Sequence, residues 1–134
     1  MTRDEILAME PGPELNELVA LKVFGQPRPM YVHEPHIEPI WNGHWVCSPD
    51  YDEGDVCNWK ARDFSGDIAA AWQVVEKMVG SHYCDWTLDM TWYDGPNYTM
   101  RFLHADATYE GFGMTAPEAV CKASLLAVEE LKCL

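Results

Sequence analysis

Apolar positions recur with a helical period in three stretches of the chain and alternate with polar ones between them. Ile68, Ala71, Trp72, Val75 and Val79 follow the spacing i, i+3, i+4, i+7, i+11, which predicts a helix over 67–79 with one buried face. Ser65 or Asp67 would cap it, and Gly80 would end it. Val120, Ala123, Leu126, Ala127 and Leu131 predict a second helix over 116–131. Its start carries Thr115 as cap, Pro117 in the first turn and Glu118 closing a capping box. Leu15, Leu18, Val19, Leu21 and Val23 predict a third over 13–24, begun by Pro13 and ended by Gly25. Between the first two, Trp86, Leu88, Met90 and Trp92 alternate with Thr87, Asp89, Thr91 and Tyr93, the pattern of a half-buried strand. Asp94-Gly95-Pro96-Asn97 is a turn signal, and Tyr98, Met100 and Phe102 mark the returning strand of a hairpin. A further strand is expected within 104–112. Periodicity places Trp72, Trp86 and Trp92 in the core.

The rest is less regular. Thr2 and Glu5 bracket a capping box for a short first helix. Pro27, Pro29, Pro35 and Pro39 exclude a helix over 26–40 and leave an extended linker or edge. Residues 41–63 form an aromatic, acidic, cysteine-bearing insert with two short strands expected over 44–47 and 57–62. The expected fold is α+β, one domain over 1–134, a layered arrangement of helices on a mostly antiparallel sheet.

Composition adds bounds on function. Of the 134 residues, 48% are apolar and 23% charged, enough for a core and without an apolar run that could span a bilayer. The net charge of −13 excludes broad contact with a nucleic-acid backbone. The six acids between 31 and 59, with no Lys or Arg among them, could instead steer a basic protein surface; the alternative is a solvated face that keeps the domain soluble. The amino terminus lacks a signal-peptide pattern, and the five cysteines are an odd number. Together these point to a host cytoplasm and away from a secreted disulfide framework.

The segments running from Ser65-Gly-Asp-Ile-Ala-Ala-Ala-Trp to Lys77, and from Thr115-Ala-Pro-Glu-Ala-Val-Cys-Lys-Ala-Ser-Leu-Leu to Ala127, resemble the phage ABA sandwich domain family. The openings 1–12 and 18–24 are similar to it as well. Gly66, Glu118 and Lys122 depart from the family pattern, which has Thr, an apolar residue and Arg there. The resemblance implies a bacteriophage or prophage protein with a layered α/β/α sandwich. It implies no activity and no catalytic residues.

Three constellations could carry function. Trp41, Trp45, Trp59 and Tyr93 could stack a base, with Lys60, Arg62 and Arg101 fixing phosphates. Backbone N–H groups at the helix starts near 65–67 and 115 could assist, against competition from Asp67 and Glu118. His44, Cys47 and Cys57 are N/S ligands of the kind zinc takes, so zinc is the one candidate cofactor; the alternative is buried free cysteines and surface histidines. The acids Asp50, Asp52, Glu53 and Asp55, and the pair His104 and Asp106, match no catalytic motif. The expectation is therefore a non-enzymatic phage accessory protein. Its partner would be a small nucleotide-like host defence signal that it sequesters. The alternatives are an acidic protein-interaction module or DNA mimic that engages a basic host protein, and a structural zinc domain. A homo-oligomer is the default expectation for a small β-bearing domain.

Overall fold

The structure is a computed structural model that describes residues 1–30, 36–48 and 58–131. The chain is an α+β sandwich. In order it forms α1 (Arg3–Ala8), α2 (Pro13–Lys22), β1 (Ile40–Asn42), β2 (Trp45–Cys47), β3 (Trp59–Ala61), α3 (Ile68–His82), β4 (Asp85–Trp92), β5 (Pro96–His104), β6 (Ala107–Gly113) and α4 (Ala116–Leu131). Among the described residues the strands make two antiparallel sheets, ordered β1-β2-β3 and β4-β5-β6. β1, within the proline-spaced region and at the head of the insert, is a strand that periodicity alone does not reveal.

The caps follow from the side chains. Thr2 Oγ1 accepts a hydrogen bond from the Glu5 N–H at 3.2 Å and starts α1. Asp67, not Ser65, caps α3 by accepting from the Ala69 N–H at 3.1 Å. Ser65 is buried instead: its backbone N–H and its hydroxyl both donate to Asn16 Oδ1, at 2.8 and 2.6 Å, and its Oγ accepts from the Gly12 N–H at 2.9 Å. This knot ties the start of α2 to the approach to α3. At α4, Thr115 Oγ1 accepts from the Glu118 N–H at 3.3 Å, and the Glu118 carboxylate accepts from the Met114 N–H at 3.2 Å. The capping box thus closes one residue earlier than expected.

α4 is the centre of the fold. It is buried on nearly every side, with Ala119, Val120, Ala123, Leu125, Ala127 and Val128 inside. One side of α4 lies on β5 and β6; α3, α2 and α1 pack on others. Its contact with β6 requires Gly111: a Cβ there would sit 2.5 Å from the Ala119 carbonyl oxygen and would press on the Ala123 backbone. Lys122 is buried, and its ammonium donates to the Glu118 carboxylate at 2.6 Å and to the Leu7 carbonyl at 3.0 Å. The residue that breaks the family's apolar pattern therefore supplies the counter-charge that a buried lysine needs.

The buried face of α3 is rotated from the expected one. Ala70, Ala71, Val74, Val75 and Met78 face the core, whereas Ile68, Trp72 and Val79 are 57%, 45% and 43% exposed. The helix is apolar over most of its circumference, so more than one face satisfies a 3.6-residue period. It also runs two residues past Gly80, to His82, and ends at Tyr83 in the left-handed region at φ 56°. α2 shows the same kind of shift, with Asn16 and Ala20 buried and Leu21 exposed. In the hairpin, Trp86 and Trp92 are 39% and 74% exposed rather than core. On β5, Phe102 opposite Trp86 and Met100 opposite Leu88 are fully buried, whereas Pro96 opposite Trp92 is only partly so. The alternation identified the right face of the strand, but the helices cover that face fully over Met100 and Phe102 of β5 and reach β4 only in part, through Trp72 on Trp86.

Two glycine substitutions test the close approach. Gly111→Ala should destabilise by about 1–3 kcal/mol, through overlap with the α4 backbone. Gly80→Ala, a helical position where a new methyl meets nothing within 4 Å, should stabilise by about 0.4–1 kcal/mol. Urea midpoints read both, and shifts of the same sign would contradict the packing described here.

Candidate functional site

α3, the β2–β3 hairpin and the segment after α2 border a shallow, open cleft of about 650 Å³. Phe24 and Gln26 line it from the end of α2, His44 and Arg62 from either side of the small sheet, and Gln73, Glu76, Lys77 and Ser81 from α3. The α3 residues are spaced i, i+3, i+4 and i+8, so they form a single polar face turned away from α4.

The small sheet is held rigidly at this wall. Gln26 accepts from the His44 N–H at 2.8 Å through its side chain, and from the Trp45 indole N–H at 2.9 Å through its carbonyl. Arg62 donates its backbone N–H to the His44 carbonyl at 2.8 Å. The His44 ring lies against Phe24, with centroids 3.9 Å apart, and 5.5 Å from Phe64. The Arg62 guanidinium sits 4.9 Å above the Trp41 ring, a contact that holds its charge at the surface while leaving its donors free to turn.

Polar pairing is incomplete here. Among the described residues, buried side-chain atoms without a hydrogen-bond partner are found in four residues: His44 Nδ1, Arg62 Nε, Gln73 Oε1 and His104 Nδ1. Three of these belong to residues that line the cleft. Burial lowers the pKa of His44 from its usual value, and the Arg62 and Lys77 charges lower it further. The imidazole is therefore neutral at pH 7, with one donor and one acceptor nitrogen. The cleft thus presents two cations (Arg62 and Lys77), one carboxylate (Glu76), a neutral imidazole and a carboxamide. Such a set suits a ligand with an anionic group and hydrogen-bonding edges. A second hollow of about 450 Å³, between α1, β6 and the end of α4, is lined by Arg3, Tyr109, Glu129 and Glu130 among others. None of the unpaired atoms belongs to it.

The cleft gathers only part of the set expected from sequence. Arg62 lines it and Trp41 stacks on Arg62. Trp45 and Trp59 are buried in the core, each nearly solvent-free, so neither ring offers a stacking face. Lys60 is exposed on β3, opposite Val46. Tyr93 stands at the tip of the β4–β5 hairpin, on the other sheet. Arg101 is spent on Asp89 at 2.6 Å and Glu110 at 2.9 Å. The helix-start anion sites are taken up by Asp67, Thr115 and Glu118. Gln73, Glu76 and Lys77 were missed; their polar spacing along α3 is the signal that could have found them.

The zinc set fares differently. Cys47 is buried and disulfide-bonded, which corrects the expectation of a free thiol there. That sulfur is not available as a thiolate ligand. His44 faces the cleft, and Cys57 lies outside the described residues, as do the acids at 50–55. Among the described residues, no three His, Cys, Asp or Glu side chains converge on a metal position. No helix among them is long and apolar enough to cross a membrane.

Comparison with known proteins places the chain. A search of curated proteins finds no match. A crystallised phage protein from Bacillus cereus is similar in structure, with a TM-score of 0.56 and 27% sequence identity, over 90% of this chain and 93% of that one. The profile of the phage ABA sandwich domain matches residues 17–125, which takes in the small sheet, the cleft, α3 and α4 as far as Leu125. The chain belongs to the phage ABA sandwich domain family.

Proposed function

We propose that the protein is a non-enzymatic phage accessory protein that binds and sequesters a small nucleotide-like ligand in the cleft between α3 and the small sheet. The observation that carries this reading is that three residues with an unpaired buried polar atom, His44, Arg62 and Gln73, line one cleft, beside Lys77. A buried polar atom without a partner costs about 1–3 kcal/mol. Three such residues around one cleft mark a place where a ligand, after a small rotation of the side chains, would supply what is missing. Arg62 and Lys77 match a phosphate, while His44 and Gln73 match the edge of a base or the hydroxyls of a ribose. Binding alone removes such a signal from solution, so the role needs no turnover.

A thermal-shift panel of cyclic dinucleotides and ADP-ribose derivatives tests the proposal. At a ligand concentration 100 times Kd, the folded state should gain about 2.7 kcal/mol. Arg62→Ala and Gln73→Leu should each abolish most of the shift, and the ligand recovered after denaturation should have its original mass. No shift across the panel, or one that both variants retain, would overturn the proposal.

The cleft also sets a pH dependence. Burial lowers the pKa of His44, and it lowers that of His82 at the end of α3, with Lys77 contributing to both and His104 to the second. In the unfolded chain both titrate near 6.5, so on acidification the unfolded state takes up protons first. Stability should therefore fall as pH drops below about 6.5 and level off only below the folded-state values. Thermal midpoints of the free protein between pH 7.5 and 5.5 should decline, and His44→Gln with His82→Gln should flatten the decline. An unchanged slope in the double variant would rule out these histidines as its source.

A further inference from the structure

β4 is an edge of the larger sheet, and all eight of its residues are exposed. Register and alternation place Trp86, Leu88, Met90 and Trp92 on the face that carries the buried Phe102 and Met100 on β5. On β4 that face is covered only in part among the described residues, least at Met90 and Trp92, which are 53% and 74% exposed. α3 extends it: the Trp72 ring meets Trp86 edge-on, at 5.4 Å between centroids, and Ile68 is exposed one turn before. Scattered exposed apolar residues are ordinary, but a contiguous strip of them beside an unpaired strand edge is not. Edge strands are commonly blunted with inward charges, prolines or bulges. On its strip face β4 has no charge. Its acids, Asp85 and Asp89, point to the other face, where Asp89 is neutralised by Arg101 at 2.6 Å.

We infer that β4 pairs antiparallel with β4 of a second copy of this chain, joining the two larger sheets into one and burying the strip. Three features select a second copy. The chain carries a net charge of −13, so a self-interface must lie where charge is absent, and the strip is such a place. A basic protein partner would find no carboxylate on the strip to meet it. Second, an antiparallel pair has its own two-fold axis, which suits a closed, isologous dimer. Placing that axis at Leu88 sets Leu88 against its copy, Trp86 against Met90, Thr87 against Asp89 and Asp85 against Thr91. No acid then faces an acid, whereas an axis at Asp89 would oppose that residue to itself. Third, the exposed parts of Ile68, Trp72, Trp86, Leu88, Met90 and Trp92 offer on the order of 500 Å² per copy. A pair therefore buries about 1,000 Å², the size at which a specific interface begins.

The strip and the cleft share no residue, so this inference and the ligand reading stand or fall separately. Light scattering on the full chain across micromolar concentrations should give twice the 15.3 kDa chain mass. Leu88→Glu should give the single-chain mass at the same concentrations. So should Trp92→Glu, at the most exposed position of the strip, which keeps the test valid if the first variant folds poorly. Circular dichroism should show both variants folded. Phe112→Glu, an exposed apolar residue on the opposite face of the sheet, should leave the dimer intact. A wild-type chain that is monomeric throughout, or a dimer that survives both strip variants, overturns the inference.

Discussion

The approach of β6 to α4 at Gly111 is the contact on which the rest of the structure depends. No side chain separates the strand from the backbone of Ala119 and Ala123. With the sheet this close, α4 loses one face to β5 and β6, and its remaining faces are left for α3, α2 and α1. A helix surrounded in this way must be apolar nearly all round. Where it is not, the exception has to be neutralised inside, and Lys122 is so neutralised by Glu118 one turn earlier and by the Leu7 carbonyl. That second bond also helps to fix α1, beside the burial of Ile6 in the core. One missing methyl group on a strand thus reaches, through the helix, to the amino terminus.

α3 distributes the consequences. Its 70, 71, 74, 75 and 78 positions are taken by the core. Its 73, 76, 77 and 81 positions line the cleft, and its 68, 72 and 79 positions flank the partly covered face of β4. On a helical wheel the cleft arc and the outer arc border the buried one on its two sides, with Ser81 at the edge of the core and Glu76 next to Trp72. The family-like segment Ala-Ala-Ala-Trp therefore spans two roles: its alanines permit close packing and its tryptophan faces outward onto Trp86. It is a scaffold signature with one surface residue inside it.

These arcs explain what could be read from sequence. The helix starts at Asp67 and Thr115, the hairpin about Asp94 and the strand faces follow from local chemistry, and local chemistry is visible in a sequence. Which arc of α3 is buried is decided by the position of α4, and a helix apolar over most of its circumference does not announce it. In the same way, alternation along β4 shows which side chains share a face, but not whether a helix reaches that far across the sheet. The misplacement of Trp72, Trp86 and Trp92 has this single cause. At the site, Arg62, Trp41 and His44 stood out because their residue types have few bland uses in an acidic insert. Gln73 and Lys77 did not, because on a surface helix they are the commonest of residues. Only the fold gives them a facing wall.

The unpaired atoms of the cleft carry an energetic implication of their own. A domain of this size has a net stability of about 5–15 kcal/mol, and orphaned polar atoms at about 1–3 kcal/mol each are a sizeable fraction of that. Among the described residues most of this cost falls on three residues that line the cleft, with His104 Nδ1 the fourth orphan elsewhere, whereas buried groups beside α4 such as Asn16, Ser65 and Lys122 are paired. A protein that leaves most of its unpaired buried polar atoms on residues around one cleft gives up stability at the place where a ligand would restore it. The rigid framing of His44 and Arg62 by Gln26, Phe24 and Trp41 then acts in the same direction, because groups held in place before binding lose little freedom when the ligand arrives.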